Sequence, residues 1–128
     1  MNIALWIAQG ILAVVFLVHA VIKFTLPEGL PDVLSWVYDI PRLPNVGIGV
    51  LELLGAIGII LPGVTRIRPG LVVWAAVGLM LTMVGAAIFH VTRAEVNLVP
   101  TNVVLFALAA FVAYGRRAWA GFSSPPSS

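Results

Sequence analysis

Six polar side chains in this sequence are of types that could do chemistry, and each lies in or beside an apolar stretch. They are His19, Lys23, Glu52, His90, Glu95 and Asn102. A carboxyl group in an apolar site keeps its proton to a higher pH, so Glu52 with His19 or His90 could act as an acid–base pair. Two histidines and an acid are also a set of metal ligands. Because no tight spacing such as His-x3-His is present, we expect no metal site.

The composition indicates which environment holds these groups. The chain has 128 residues, enough for one domain, and 61% of them are hydrophobic while only 9% are charged. Soluble proteins carry about 25% charged residues, so a bilayer is the better solvent for this chain. The formal charge of +2 forms no basic patch for nucleic acid. There are no cysteines, which excludes disulfides, thiolate nucleophiles and cysteine-based metal sites.

Four apolar segments account for most of the chain. A membrane-spanning helix needs roughly 20 apolar residues, and segments one and three reach this length while two and four are shorter. No segment has a polar face for water, which argues against a soluble bundle. We predict an all-α, transmembrane four-helix bundle over residues 1–117 and a disordered tail over 118–128. The predicted helices cover about 3–24, 46–61, 71–91 and 97–115.

The connection between the first two segments is rich in proline. It runs from Thr25 to Asn45, and the stretch "DVLSWVY" inside it is long enough for one or two helical turns. Trp and Tyr favour the membrane interface, so we predict that this short segment lies flat there. The first apolar segment has no basic residue before Lys23, which favours a retained helix over a cleaved signal peptide.

Basic residues in the short loops predict the orientation of the bundle. Four of them lie on the side of the termini and three on the opposite side, and the more basic side stays in the cytoplasm. We therefore expect a multi-pass protein of a bacterial inner membrane with both termini cytoplasmic. The four are Arg66, Arg68, Arg116 and Arg117, and the three are Lys23, Arg42 and Arg93.

In an antiparallel bundle the candidate residues collect in one half. At about 1.5 Å per residue, His19, Glu52 and Asn102 lie roughly 8 to 9 Å from the same end of the bundle. Lys23 and His90 lie one or two turns closer to that end. The opposite half offers only a glutamine and a threonine. Polar residues inside a membrane mark functional sites, so we predict a polar pocket in the outer half.

The acid in segment two needs a partner at this depth. An isolated carboxylate at the centre of a membrane helix costs about 2.5–3.5 kcal/mol. Glu52 is therefore protonated, paired with Lys23, His19 or His90, or wetted by a cavity. Small residues such as Gly55 place it on a packed helix face. Each of these polar residues also has a purely structural interpretation, such as an ion pair that fixes helix register or an interhelical hydrogen bond.

Four motifs in the apolar segments form a set. They are "KF" after segment one, "GVLELLGAIGIILPG" in segment two, "MVGAAIFHVTRAE" at the end of segment three and "NVVLFALAAFVAYGR" in segment four. Together they resemble the DoxX-like family of small four-helix membrane proteins. On the family pattern Lys23 matches the basic residue that ends segment one, and Glu52 matches the acid of segment two. His90 with Glu95 match the pair that closes segment three. His19 departs from the pattern, since relatives more often have a small or apolar residue there.

The resemblance implies a role in membrane redox chemistry. The family takes its name from a subunit of a thiosulfate:quinone oxidoreductase, and other relatives are accessory partners of redox enzymes or assembly chaperones. We therefore expect an accessory or ligand-binding component of a membrane redox system. Its pocket would bind a lipophilic molecule such as a quinone, or a redox partner protein. No resident cofactor is expected, because the sequence has no flavin or haem motif.

Two other functions remain open from the residues alone. The first is a small membrane enzyme that uses Glu52 with His19 or His90 for acid–base chemistry, such as an isomerisation or ring opening. The second is a proton-coupled transporter, which would need a second copy of a four-helix chain. Short segments and glycine stripes fit a homodimer.

Overall fold

Four long helices make up the protein. The computed structural model describes residues 2–121, in which α1 covers Asn2–Thr25, α2 Arg42–Thr65, α3 Leu71–Thr92 and α4 Val99–Gly115. All four are long and apolar enough to cross a membrane, α4 together with the 3₁₀ turn Val96–Leu98 before it. The predicted all-α transmembrane four-helix bundle is confirmed.

The helices pack in a ring in chain order. Each contacts the helix before and after it in the chain, and α4 contacts α1. In each membrane-spanning segment, between 22% and 39% of the residues are buried inside the bundle. Most of the apolar surface therefore faces outward, where lipid can cover it. The core lies along the bundle axis and consists of Ala8, Leu12, Phe16, Ala56, Ile59, Val72, Ala76, Leu79, Met83, Leu105, Ala109 and Val112.

Helix α2 extends beyond its predicted range of 46–61 at both ends, so the prediction of a short second segment was wrong. Pro44 lies in the first turn, where its missing N–H has no intrahelical partner in any case. Pro62 lies inside the helix, and packed membrane helices tolerate proline because neighbouring groups satisfy the freed carbonyl. The helix ends at Thr65, since Arg66 takes a left-handed conformation with φ of 59°.

The chain after α4 remains folded. Arg117–Ala120 form a 3₁₀ helix, which places the Trp119 ring 6.3 Å from the Trp6 ring and against the core. The predicted disordered tail, 118–128, was therefore wrong for its first residues, because Trp119 contributes buried contacts. Residues 122–128 lie outside the described part of the chain.

A second polar cluster lies at the end of the bundle that carries the termini. Arg116 is only 5% exposed, and its Nε donates to Gln9 Oε1 at 2.9 Å. Gln9 Nε2 donates to the Ile59 carbonyl at 2.7 Å. The Arg116 guanidinium also lies 4.1 Å from the Trp119 ring and 5.1 Å from the Trp6 ring. The expectation that buried polar groups collect in one half was wrong, because Arg116 was counted as a loop residue.

We predict that Arg116→Met destabilises the fold. The substitution keeps a long side chain but removes a charged hydrogen bond and leaves Gln9 Oε1 without its donor, a loss of about 1.5–3 kcal/mol. Thermal unfolding in detergent should therefore begin at a clearly lower temperature. Arg66→Met is the matched control, because Arg66 is exposed in the α2–α3 loop. Equal unfolding temperatures for the two variants would contradict a structural role for Arg116.

Candidate functional site

A cavity of about 310 Å³ lies at the end of the bundle opposite the termini. We call this end the cover end, because the 3₁₀ helix Asp32–Asp39, the cover helix, folds over it. All four long helices contribute to the cavity wall. Its polar lining consists of His19, Lys23, Glu52, Thr82, His90 and Asn102. Its apolar lining includes Trp36, Ile40, Ile48, Leu51, Met83, Ala86 and Phe89.

The antiparallel arrangement and one glycine bring these side chains together. The cover end holds the last turns of α1 and α3 and the first turns of α2 and α4. On α1, His19 and Lys23 are four residues apart and therefore share a face. On α2, Gly49 contacts α1, and a Cβ added there would lie 2.8 Å from Phe24 Cε1. Glycine at 49 therefore allows the close helix approach that places Glu52 beside Lys23.

Lys23 and Glu52 form a buried ion pair. Lys23 Nζ lies 2.7 Å from Glu52 Oε1, and the two side chains are only 4% and 2% exposed. His19 Nδ1 lies 3.8 Å from Glu52 Oε2, a longer contact made by a side chain that is 24% exposed. Of the partners expected for the acid, Lys23 is therefore the one in direct contact. Lys23 Nζ also lies 5.1 Å from the Trp36 ring, within cation–π range.

His90 belongs to a second set of charged groups. Its Nδ1 lies 3.1 Å from Glu95 Oε1, and Arg93 Nε donates to the same oxygen at 2.9 Å. The Arg93 hydrogen bond, followed by that of His90, lowers the pKa of Glu95 below its usual value. An ionised Glu95 accepts a hydrogen bond from Nδ1–H, and in a neutral imidazole this tautomer leaves His90 Nε2 as a hydrogen-bond acceptor. His90 is 3% exposed and lines the cavity. Glu95 is not part of the lining and contacts His90 through Nδ1.

The cover helix is held over the cavity by contacts near its C-terminal end. Arg93 Nη2 donates to Asp39 Oδ2 at 2.6 Å, and Asn45 Nδ2 donates to the Val37 carbonyl at 3.3 Å. The Trp36 ring packs edge-on against His90, with centroids 4.9 Å apart. Sequence reasoning assigned Trp36 to the membrane interface, whereas the ring lies on the cavity wall.

Asn102 brings an unused hydrogen-bond donor to the cavity. The residue is 8% exposed, and its Nδ2 has no hydrogen-bond partner among residues 2–121. A buried amide without a partner costs about 1–3 kcal/mol, so the group favours any acceptor that enters the cavity.

The structure thus brings the six candidate residues to one place, and their role in binding or catalysis stays a prediction. Five line the cavity and Glu95 contacts one of those five. Sequence reasoning missed Trp36 and the Arg93–Asp39 link, because both depend on how the proline-rich connection folds back over the bundle. Among residues 2–121, no three His, Asp or Glu side chains come together in a way that could hold a metal ion.

We predict that the Lys23–Glu52 pair behaves as a coupled unit. Lys23→Met or Glu52→Leu alone leaves one buried charge without a partner and should destabilise the protein by about 3–5 kcal/mol. The double variant removes both charges, so its unfolding temperature in detergent should return close to that of the wild type. A double variant as unstable as the sum of the two single variants would show that the charges are not coupled.

Comparison with known proteins agrees with the motifs. The family model described as the DoxX-like family matches residues 7–112, a range that includes all six candidate residues. A search of curated proteins found no match, and neither did a search of solved structures. The match spans most of the chain and coincides with the four apolar helices. The chain is therefore a multi-pass membrane protein that belongs to the DoxX-like family.

Proposed function

We propose that the protein binds a lipophilic small molecule with a carbonyl-bearing head, such as a quinone, in the cavity at the cover end. The observation that carries this proposal is the Asn102 amide, a buried donor without a partner in a largely apolar cavity. Small-molecule sites combine mostly apolar walls with a few polar groups that fix orientation, and this cavity has that composition. Its volume of about 310 Å³ suits a single-ring head better than a larger molecule.

Some polar groups of the cavity are paired with each other, and others are free to form hydrogen bonds with a ligand. Lys23 and Glu52 neutralise each other at 2.7 Å, so the pair needs no ligand charge. Asn102 Nδ2 offers a hydrogen bond to a carbonyl oxygen. His90 Nε2 accepts a hydrogen bond in the tautomer that Glu95 favours, and therefore suits a hydroxyl. Together these groups fit the oxidised and reduced heads of a quinone, which carry carbonyls and hydroxyls respectively.

The family resemblance supports a proposal for the role of the protein in the cell. Relatives of the DoxX-like type include a subunit of a quinone-reducing enzyme, which supports an accessory role beside a redox partner protein. In this role the protein would hold the quinone near the partner and supply no electrons itself. A homodimer or a complex with the partner would cover part of the exposed apolar surface.

A membrane enzyme is the second candidate, and the His90–Glu95 pair is what favours it. A histidine oriented by a carboxylate is a common general base. Glu52 suits this task less well, because its carboxylate is engaged by Lys23. Conversion of a lipophilic substrate by the wild type, lost in His90→Gln while binding remains, would establish this function in place of the accessory role.

Ligand binding can be tested with the quinone ring alone. Wild-type protein in nanodiscs is titrated with a dimethoxybenzoquinone, which should quench the fluorescence of Trp36 in a saturable way, because Trp36 lies on the cavity wall. Trp36→Phe supplies the non-specific background. Asn102→Leu removes the donor at similar volume and should weaken binding about 3- to 10-fold.

Thr82→Val is the matched control for this titration. Thr82 lines the same cavity, but its hydroxyl already donates to the Gly78 carbonyl at 2.9 Å, so its removal should leave the affinity unchanged. The proposal fails when the wild type shows no saturable quenching that depends on Trp36. It also fails when Asn102→Leu and Thr82→Val have equal effects.

The location proposed for the protein is a bacterial inner membrane, with both termini in the cytoplasm and the cavity in the outer half. The excess of basic residues on the side of the termini supports this orientation. A reporter enzyme that is active only in the periplasm, fused after Ser128 so that Trp119 is retained, should be inactive. The same reporter inserted in the connection at Gly29 should be active. The opposite pattern would invert the topology.

A further inference from the structure

An apolar groove on the outer surface of the bundle leads to the cavity. It lies between α2 and α3 and has a volume of about 510 Å³. Leu51 and Thr82 line both the groove and the cavity, so the two spaces meet at these residues. Leu51 is 60% exposed and Thr82 is half-buried, which means that the junction is accessible from the outer surface.

We infer that the ligand is amphipathic, with its head in the cavity and an apolar chain in the α2–α3 groove, and that it enters sideways from the bilayer. This inference rests on the proposed function and adds the chemical class of the ligand and its route. The groove faces outward from the bundle, so a molecule dissolved in the bilayer reaches the cavity without crossing water.

The dimensions and chemistry of the groove fit an apolar chain. Along α3 it extends from Thr82 back to Ala75, seven residues and therefore about 10 Å. Its walls carry no charged side chain. Thr82 is the polar side chain at the junction, and its hydroxyl already donates to the Gly78 carbonyl. It therefore needs no hydrogen-bond acceptor from the ligand. An acyl or isoprenoid chain therefore buries apolar surface there with no polar group to desolvate.

The opposite face of α3 offers a poorer route. A smaller groove of about 230 Å³ lies between α3 and α4, and it shares Met83 and Asn102 with the cavity. These two residues are only 3% and 8% exposed, so they form a closed wall. A chain attached to a head in the cavity would have to displace Met83 to reach this side, whereas no buried side chain separates the cavity from the α2–α3 groove at Leu51.

Two substitutions on α3 fill one groove each and form a matched pair. A Cβ added at Gly78 meets nothing within 4 Å, and Gly78 lines the α2–α3 groove, so we expect Gly78→Leu to place its side chain in that groove. Ala87→Leu adds bulk to the α3–α4 groove instead. We expect both variants to unfold at the wild-type temperature. This control would show that a loss of binding comes from the filled groove and not from a damaged fold.

The experiment compares the dimethoxybenzoquinone ring with the same ring carrying a decyl chain, by quenching of Trp36 in nanodiscs. Gly78→Leu should weaken binding of the decyl compound about tenfold and change binding of the ring less than about twofold. Ala87→Leu should change neither, and comparison of variants with the same compound cancels its partition into lipid.

The outcomes separate this inference from the proposed function. If Gly78→Leu binds both compounds as the wild type does, the chain does not lie in the α2–α3 groove. If Ala87→Leu causes the loss instead, the chain leaves between α3 and α4. Both results overturn the inference while the proposed function stands. If neither compound binds the wild type saturably, the proposed function fails and the inference fails with it.

Discussion

The buried ion pair between Lys23 and Glu52 is the interaction on which the cover end depends. Lipid supplies no water to solvate either charge, so the two groups must meet inside the protein. Their meeting fixes the register of α1 against α2, and Gly49 provides the close approach that it requires. Arg42, at the start of α2, donates to the carbonyls of Lys23 and Phe24 and so satisfies groups left free at the end of α1. The end of α1 and the start of α2 are therefore one unit built around two charges.

The cover helix links this unit to the second charged set. Trp36 lies 5.1 Å from Lys23 Nζ and 4.9 Å, ring to ring, from His90, and Arg93 joins Asp39 of the cover helix to Glu95. One short segment thus contacts both polar centres and closes the space between them. The Lys23–Glu52 pair and His90 line the same cavity, and Trp36 of the cover helix lies on its wall between them.

Periodicity and composition were sufficient for the number and order of the four helices and for the common location of the six candidate residues, because both depend on local sequence and on the antiparallel order. They misplaced Thr82, which was counted in the opposite half and lines the cavity. Counting residues made Lys23 one of three possible partners of Glu52, beside His19 and His90, and Lys23 is the one in contact. What counting could not supply was any contact made through the proline-rich connection. The position of Trp36 and the link from Arg93 to Asp39 depend on how that connection folds back, which no periodic pattern records. The prediction that Arg116 is a loop residue was wrong for a related reason. A basic residue at a helix end is expected to be exposed, and the contacts with Gln9 and two tryptophans that bury it come from distant parts of the chain.

The two polar clusters differ in a way that bears on function. At the termini end the packing is tight, since a Cβ added at Gly63 would lie 2.9 Å from the Trp6 ring and 3.1 Å from the Trp119 ring. At the cover end the four helices enclose a cavity of about 310 Å³. A membrane protein that needed only stability would pack both ends alike, because an unfilled apolar space loses dispersion contacts. Each end holds a buried donor without a hydrogen-bond partner among the described residues, Arg116 Nη2 at one and Asn102 Nδ2 at the other, and Asn102 is the one that lies on the wall of the cavity. This coincidence supports the proposal that the cover end binds a molecule that is not part of the chain.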